Sequence, residues 1–375
     1  MKKLSLYYAT NRGHLGDRWK PDSYGTKFSA DGTENLRFGK LNLEADEKQL
    51  TKHLGKTVAG AKGNGEGLSG YLGKQMKRAK IRAFRENAKS GDPAAAVYGS
   101  KAMFDELQGI MKKATDVVIY IHGFNVDWND AVASALALQE MLNLEVEGVP
   151  KQKTQVVLFT WPSNGRATPW ASYRSDREEA AASGKSVGRG MLKLRDFLVQ
   201  LRDCDAPDRR CNQKMHLLCH SMGNFVLQNA VARLRDFTPG SALPRMFEHI
   251  FLCAPDVDDN ILEPPNAMGD LHELGRCVTI YHNRGDLALH GSDYTKGNPD
   301  RLGTNGPARS GMVHNKVHSV DCSAIVKGFM EHSYYLGGLP NQDIRASIAD
   351  VVLAASVRER KRNPDVPNLW EFPKA

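Results

Sequence analysis

The chain has 375 residues, of which 41% are hydrophobic and 25% charged, a balance that excludes disorder along its whole length. Its formal charge of +8 is spread thinly and makes a nucleic-acid partner an unsupported expectation. No apolar run approaches the ~20 residues that span a bilayer, and six cysteines in a chain this long do not make a disulfide scaffold.

The start, Met1-Lys2-Lys3, mimics the charged region of a signal peptide. Leu4 to Thr10 is too short and too polar to follow it as an apolar core, and Asn11-Arg12 ends it. Leu4 to Ala9 is therefore read as a first strand, and the protein is expected in the cytoplasm. Leu36 to Leu43 reads as another early strand. Ala59 to Gly73 is rich in glycine and Lys74 to Arg85 in Lys and Arg, without a core-facing stripe. The first is expected to be a flexible insertion and the second a solvated helix face. Gly65-x-Gly67-x-x-Gly70 lies within it, but no strand leads into this triplet, so nucleotide binding is not inferred. Segment 1–115 is thus expected to decorate the domain, with the core over 116–340 and a helix and tail over 341–375.

Met103, Leu107, Ile110 and Met111 have helical spacing after a possible cap at Ser100. Asp116 to Ile121 is a short continuous apolar run, the mark of a strand covered on both faces. Helix Asn129 to Leu144, strand Gln155 to Thr160 and a long polar helix Tyr173 to Arg202 follow. Cys204 and Cys211 then bracket a polar loop; two reduced thiols are expected there rather than a disulfide or metal site. Strand Met215 to Cys219, helix Met222 to Arg235, strand His249 to Cys253, a short helix Met268 to Leu274 and strand Cys277 to Tyr281 come next. A last strand, Val317 to Asp321, precedes a helical region through Tyr335. Gln342 to Arg360 reads as a terminal helix and Asn363 to Ala375 as a Pro-containing tail. This alternation predicts a mostly parallel central sheet with helices on both faces. In such sheets the site lies at the C-terminal edge of the strands.

At that edge stands Ser221, in Leu217-Leu218-Cys219-His220-Ser221-Met222-Gly223-Asn224. An apolar strand runs into a small-x-Ser-x-Gly turn and a helix runs out, the layout of a nucleophile elbow. Cys219 stands where glycine is usual, and cysteine is small enough to be tolerated. A serine hydroxyl needs a base, and the base needs an acid to orient it. In this architecture the order along the chain is Ser, acid, His, which selects Asp286 after strand Cys277 to Tyr281 and His332 after the last strand. Asp256 and Asp258 are alternative acids. His314 and His318 precede or open the last strand, on the wrong side for the site, and His290 is a further rival. The oxyanion hole is expected from the backbone N–H groups of Met222 and Phe124, in the turn His122-Gly123-Phe124-Asn125. His122, Asn125 and Trp161, the last in Trp161-Pro162-Ser163, are expected to contact substrate; Tyr173 and Asp176, at the head of the long helix, are lesser candidates for the cleft.

His122-Gly123-Phe124-Asn125, Trp161-Pro162-Ser163, His220-Ser221-Met222-Gly223-Asn224, Ala254-Pro255-Asp256 and His332-Ser333-Tyr334-Tyr335 together resemble an uncharacterised bacterial α/β-hydrolase family. That family is defined as a domain of unknown function, within the superfamily that includes esterases and lipases. The resemblance spans roughly Asp116 to Leu336 with the opening strand around Tyr7 to Arg12, and implies the α/β-hydrolase fold. The expected function is a cofactor-independent serine esterase acting on a small-molecule ester through an acyl-enzyme, with no metal. The stretch between Asp256 and Gly275 is short for a lid, although Gly291 to Gly311 could cover the site. The competing expectation is a catalytically silent α/β-hydrolase fold used for binding or as a scaffold.

Overall fold

Fifteen strands and nine helices are found among the described residues of this computed structural model. It describes residues 1–87, 97–145, 151–163, 169–202, 213–289, 300–327, 332–349 and 359–374. The strands are β1 (Lys2–Thr10), β2 (Arg12–Gly16), β3 (Pro21–Phe28), β4 (Arg37–Ala45), β5 (Thr57–Val58), β6 (Ala61–Lys62), β7 (Lys80–Ala83), β8 (Asp116–Ile121), β9 (Thr154–Thr160), β10 (Lys214–His220), β11 (Phe247–Cys253), β12 (Gly275–His282), β13 (Val317–Asp321), β14 (Lys361–Arg362) and β15 (Leu369–Glu371). The helices are α1 (Glu47–Gly55), α2 (Gly65–Gly73), α3 (Gly99–Met111), α4 (Trp128–Leu142), α5 (Pro169–Arg202), α6 (Gly223–Asp236), α7 (Leu271–Leu274), α8 (Leu302–Asn305) and α9 (Gly338–Ile348).

Eleven strands make one sheet in the order β14-β15-β13-β12-β11-β10-β8-β9-β1-β4-β7. From β15 through β1 every neighbouring pair is parallel, and antiparallel strands occur only at the margins. The two-residue period of a strand sends alternate side chains to opposite faces. Val118 and Tyr120 of β8 join Leu4, Leu6 and Tyr8 of β1 in the core under α2, α4 and α9. Val117 and Ile121 join Tyr7 and Ala9 in the core under α3, α5 and α6. Val118, Ile121, Val156 and Leu158 are 0% exposed, and burying each contributes about 1.5–3 kcal/mol. This two-sided burial is why the strands read as continuous apolar runs.

The sequence is less transparent where elements are short. The glycine-rich stretch is not a flexible insertion. It forms β6 and α2, whose Leu68 and Leu72 are fully buried against the first core, and Asn64 caps α2 by accepting from the Gly67 N–H at 2.7 Å. The Gly65–Gly70 triplet therefore lies inside a helix. The basic run is not one helix either: a 3-10 turn, Met76–Arg78, leads into edge strand β7, which pairs with β4. Its lysines and arginines fall on a sheet margin, where charge discourages pairing with another chain. Ser100 lies within α3 and does not cap it; the cap position is Tyr98. The terminal helix begins earlier than expected, at Gly338, and residues 350–358 lie outside the described residues. The tail adds β15, parallel to β13, and β14 at the sheet margin.

Helix α4 shows how closely the layers pack. Eleven of its fifteen residues are buried, among them Ala131, Ala133, Ala135 and Ala137, small side chains that let α2 and the sheet approach. Asp127 starts it by accepting from Asp130 N–H at 2.9 Å. Among the described residues no helix is long and apolar enough to cross a membrane.

Candidate active site

The C-terminal ends of β8, β9, β10, β12 and β13 meet at one edge of the sheet. At the end of β10, Ser221 takes a left-handed backbone conformation with φ of 51°, unfavourable for a side chain other than glycine. Hydrogen bonds hold it there, among them Asn224 N–H to Ser221 O at 3.0 Å. Ser221 N–H donates to Cys253 O at 2.9 Å, Ser221 O accepts from Asp256 N–H at 3.2 Å, and the Asn224 amide donates to Ser221 O at 2.9 Å. The Asn224 amide also reaches Cys219 O at 3.2 Å, so Asn224 ties strand to helix across the turn. Cys219 is an ordinary buried strand residue of the core beneath α6. The position that admits only glycine is Gly223, where a Cβ would lie 2.6 Å from Ile121 O and 2.7 Å from His122 O.

Two of the residues selected from chain order come together directly. His332 Nδ1 lies 2.7 Å from Asp286 Oδ2. The ionised carboxylate can only accept, so Nδ1 carries the proton; in the neutral ring that tautomer keeps the lone pair on Nε2. The other Asp286 oxygen accepts from Ala288 N–H at 3.1 Å, which fixes the carboxylate in its turn after β12. His332 reaches the elbow through His220, the residue before Ser221. Their ring centroids are 4.7 Å apart, and His220 Nε2–H donates to His332 O at 3.1 Å. Burial, reinforced by the adjacent His332, holds His220 well below the usual imidazole range and therefore neutral. Among the described residues no hydrogen bond links Ser221 Oγ to the His332 ring, so their contact belongs to the proposal below.

The loop after β8 presses on the elbow. A Cβ on Gly123 would sit 2.7 Å from Ser221 Cβ. His122 sets the orientation of this loop. It is completely buried, stacked on Trp161 with ring centroids 5.3 Å apart and planes at 8°. Burial, with the Arg12 charge, pushes its pKa down to about 3. Its Nδ1–H donates to Gly123 O at 2.9 Å, while Nε2 accepts from the Thr160 hydroxyl at 2.9 Å. A trans peptide points its C=O and N–H in opposite directions. Holding Gly123 O on His122 therefore turns Phe124 N–H the other way. Neither Phe124 N–H nor Met222 N–H has an acceptor among the described residues.

Sequence reasoning missed Arg12. It is 1% exposed and follows the first strand with nothing to mark it but its charge. Its guanidinium donates to Thr160 Oγ1 at 2.9 Å, Gly25 O at 3.0 Å, Ser163 O at 3.3 Å and Val126 O at 2.7 Å. Arg12, Thr160 and His122 thus form a hydrogen-bonded chain ending on Gly123 O. Burial lowers the Arg12 pKa to about 10, opposed by Asp127, Asp176 and Glu179. Asp176 accepts from the Ser163 hydroxyl at 2.6 Å and weakly from Asn125 N–H at 3.4 Å. Neighbouring Glu179 is raised to about 7, first by desolvation and then by the Asp176 charge.

The remaining expected residues divide between surface and interior. Asn125 is exposed, with φ of 57°, and Phe124 is half-buried, edge-on to Tyr173 with centroids 5.6 Å apart. His122 and Trp161 are 0% exposed and support the loop from beneath, so neither forms an open substrate wall; Trp161 Nε1–H donates to His122 O at 3.0 Å. The alternative acids have other partners. Asp256 accepts from the Tyr173 hydroxyl at 2.8 Å and lies 3.4 Å from Arg301 Nε, and Asp258 lies 2.6 Å from Arg301 Nη1. His314 stacks on His272, His318 packs on Trp370, and His290 lies outside the described residues. Cys204, Cys211 and residues 291–299 of the Gly291 to Gly311 stretch also lie outside them. The Asp256–Gly275 stretch buries Leu262, Met268, Leu271 and Leu274 in the core.

Residues 101–346 match the model of a family described as "Alpha/beta hydrolase of unknown function (DUF900)", and the chain belongs to that family. An uncharacterised protein of Nostoc sp. is 21% identical over 322 residues, covering 68% of this chain and 77% of its own. Two structures of an esterase from Pyrobaculum calidifontis are 14% and 12% identical, cover 63% and 65% of this chain and 77% and 78% of theirs, and superpose with a TM-score of 0.29 each.

Proposed function

We propose that this α/β hydrolase is a serine hydrolase that cleaves carboxylic esters of small, soluble substrates through an acyl-enzyme. The observation that carries the reading is the bond between His332 Nδ1 and the buried carboxylate of Asp286, beside an elbow whose serine has φ of 51°. Asp286 fixes the tautomer that leaves His332 Nε2 basic. His332 removes the Ser221 proton as Oγ bonds to the ester carbonyl carbon. The carbonyl electrons move onto oxygen, where the unused N–H groups of Met222 and Phe124 receive the charge. Each such donor is worth about 3–4 kcal/mol in the transition state. The C–O bond to the alcohol then breaks, and His332 returns its proton to the departing oxygen. Water, deprotonated by the same histidine, releases the acid and restores Ser221.

The Met222 N–H opens helix α6, whose dipole favours negative charge at that end. The short stretch between Asp256 and Gly275 favours an accessible ester over a lipid interface. A cytoplasmic setting suits the free thiols of Cys219, Cys253 and Cys322. The test is a panel of purified esters and thioesters of increasing acyl length. The account expects turnover of short-chain esters without a gain above the micellar concentration, lost in Ser221→Ala. Absence of turnover across the panel, or turnover unchanged in Ser221→Ala, would refute it.

A further inference from the structure

Helices α5 and α6 run side by side in the same direction. Gly184 lies against Asn229 and Gly188 against Arg233, four residues further along both helices. The same offset sets Arg177 level with the start of α6, beside the elbow. Its guanidinium lies flat on Phe225, 3.7 Å from the ring centroid. Its Nη1–H donates weakly to the Tyr173 hydroxyl at 3.4 Å, and the Tyr173 ring meets Phe124 edge-on at 5.6 Å. The cation is thus bracketed by the residues that adjoin both proposed oxyanion donors: Phe124 itself, and Phe225 in the first turn after Met222.

Stacking occupies the flat face of a guanidinium, whereas its N–H donors lie in the plane and point past the ring edge. Arg177 is half-buried, and among the described residues no carboxylate lies within ion-pair distance of it. Asp256 shares the Tyr173 hydroxyl with it but has Arg301 as its ion-pair partner. A planar fork fixed in this way meets a carboxylate through two parallel hydrogen bonds. We infer that Arg177 is a specificity-determining residue that binds a carboxylate on the acyl part of the ester. The side follows from His332, which rests on the esterase reading. The departing alcohol takes its proton from His332, which leads into Tyr334 and Tyr335 in the core under α2, α4 and α9. Tyr173 and Phe225 pack on the core of the opposite face, so the acyl chain runs toward Arg177. The substrate class is a half-ester of a dicarboxylic acid.

The test compares phenol release from monophenyl adipate, phenyl hexanoate and phenyl ε-aminohexanoate, whose acyl chains match in length and end in an anion, a methyl group and a cation. In wild type kcat/KM is expected to favour the anion over the methyl group by at least about tenfold, the worth of a charge-assisted pair of hydrogen bonds. Arg177→Met should bring that ratio near unity, Arg177→Lys should keep part of it, and Arg177→Glu should favour the cation. A merely structural role would lower all three substrates together and leave the ratio in place. Titration calorimetry of the same esters with Ser221→Ala reads binding without turnover. Tighter binding of the anion there by about tenfold, lost in Ser221→Ala/Arg177→Met, would uphold the carboxylate site even if no ester is turned over, and the esterase reading alone would fall. Equal kcat/KM for anion and methyl group, equal binding where there is no turnover, or a preference that survives Arg177→Met would overturn the inference. Hydrolysis of phenyl hexanoate by wild type would then leave the esterase reading standing.

Discussion

His332 Nδ1 and Asp286 Oδ2 are 2.7 Å apart, yet the two side chains meet solvent differently: the carboxylate is 1% exposed and the imidazole 19%. The charge that orients the ring is shielded, while the ring keeps an open side. Asp286→Asn preserves the shape but offers an amide N–H where an acceptor is needed, which favours the wrong tautomer of His332. An ester turnover rate about 10⁴-fold lower is expected, by analogy with the corresponding change in serine proteases. Steady-state kinetics check it, and a loss under tenfold would remove Asp286 from the mechanism.

Gly123 faces Ser221 so closely that an added methyl would lie 2.7 Å from Ser221 Cβ and 3.1 Å from His220 O. Gly123→Ala must move either the loop or the elbow. The account expects kcat to fall about 10²-fold or more, as when one oxyanion donor is lost. The stability loss, read by urea denaturation, should stay within the ~1–3 kcal/mol of an overpacked site. Unchanged kcat would show that the loop can yield without consequence.

Arg12 gathers the hairpin after β1, the loop after β8 and the turn after β9 onto one guanidinium. Arg12→Met leaves the carbonyl of buried Ser163 and those of half-buried Gly25 and Val126 without that donor. A buried unsatisfied group costs about 1–3 kcal/mol, so a loss of at least about 1 kcal/mol is expected by urea denaturation. Activity should fall as well, because the chain from Arg12 through Thr160 and His122 to Gly123 O is broken. Retained stability would mean that the carbonyls find other donors.

Glu179 ties pH to stability. Desolvation and the Asp176 charge raise its pKa in the folded protein to about 7, from the ordinary 4.5 of a glutamate. Between those values the folded chain binds more protons than the unfolded one. The contribution is complete below the lower value and disappears as pH rises through the upper one. Glu179→Gln should therefore flatten the decline in Tm between pH 5 and 8, with the larger relative gain at pH 8. Parallel Tm profiles for the two proteins would contradict this.

The central strands were legible because burial on both faces leaves continuous apolar runs, as in Val117 to Ile121 and Val156 to Phe159. The elbow and the Ser, Asp, His order were legible because parallel strands bring residues distant in sequence to one edge. Short elements were not. Leu68 and Leu72 are the buried apolar residues of a helix whose sequence is otherwise mostly Gly and polar, and Lys80–Ala83 joins a sheet margin with charged side chains outward. Trp161 and His122 looked like substrate contacts because the sequence shows proximity to a strand end but not depth. Arg12 was missed because its four acceptors are an oxygen on a threonine and three backbone carbonyls from separate loops, which no local spacing brings together.

The central claim is that Ser221 is an activated nucleophile. The most direct measurement is intact-protein mass spectrometry after incubation with a fluorophosphonate, with the modified residue located by peptide mapping. The account predicts one stoichiometric adduct on Ser221, absent in Ser221→Ala and formed at least 10³-fold more slowly in His332→Ala. No adduct on the folded wild-type chain, or an adduct that persists in Ser221→Ala, would contradict it.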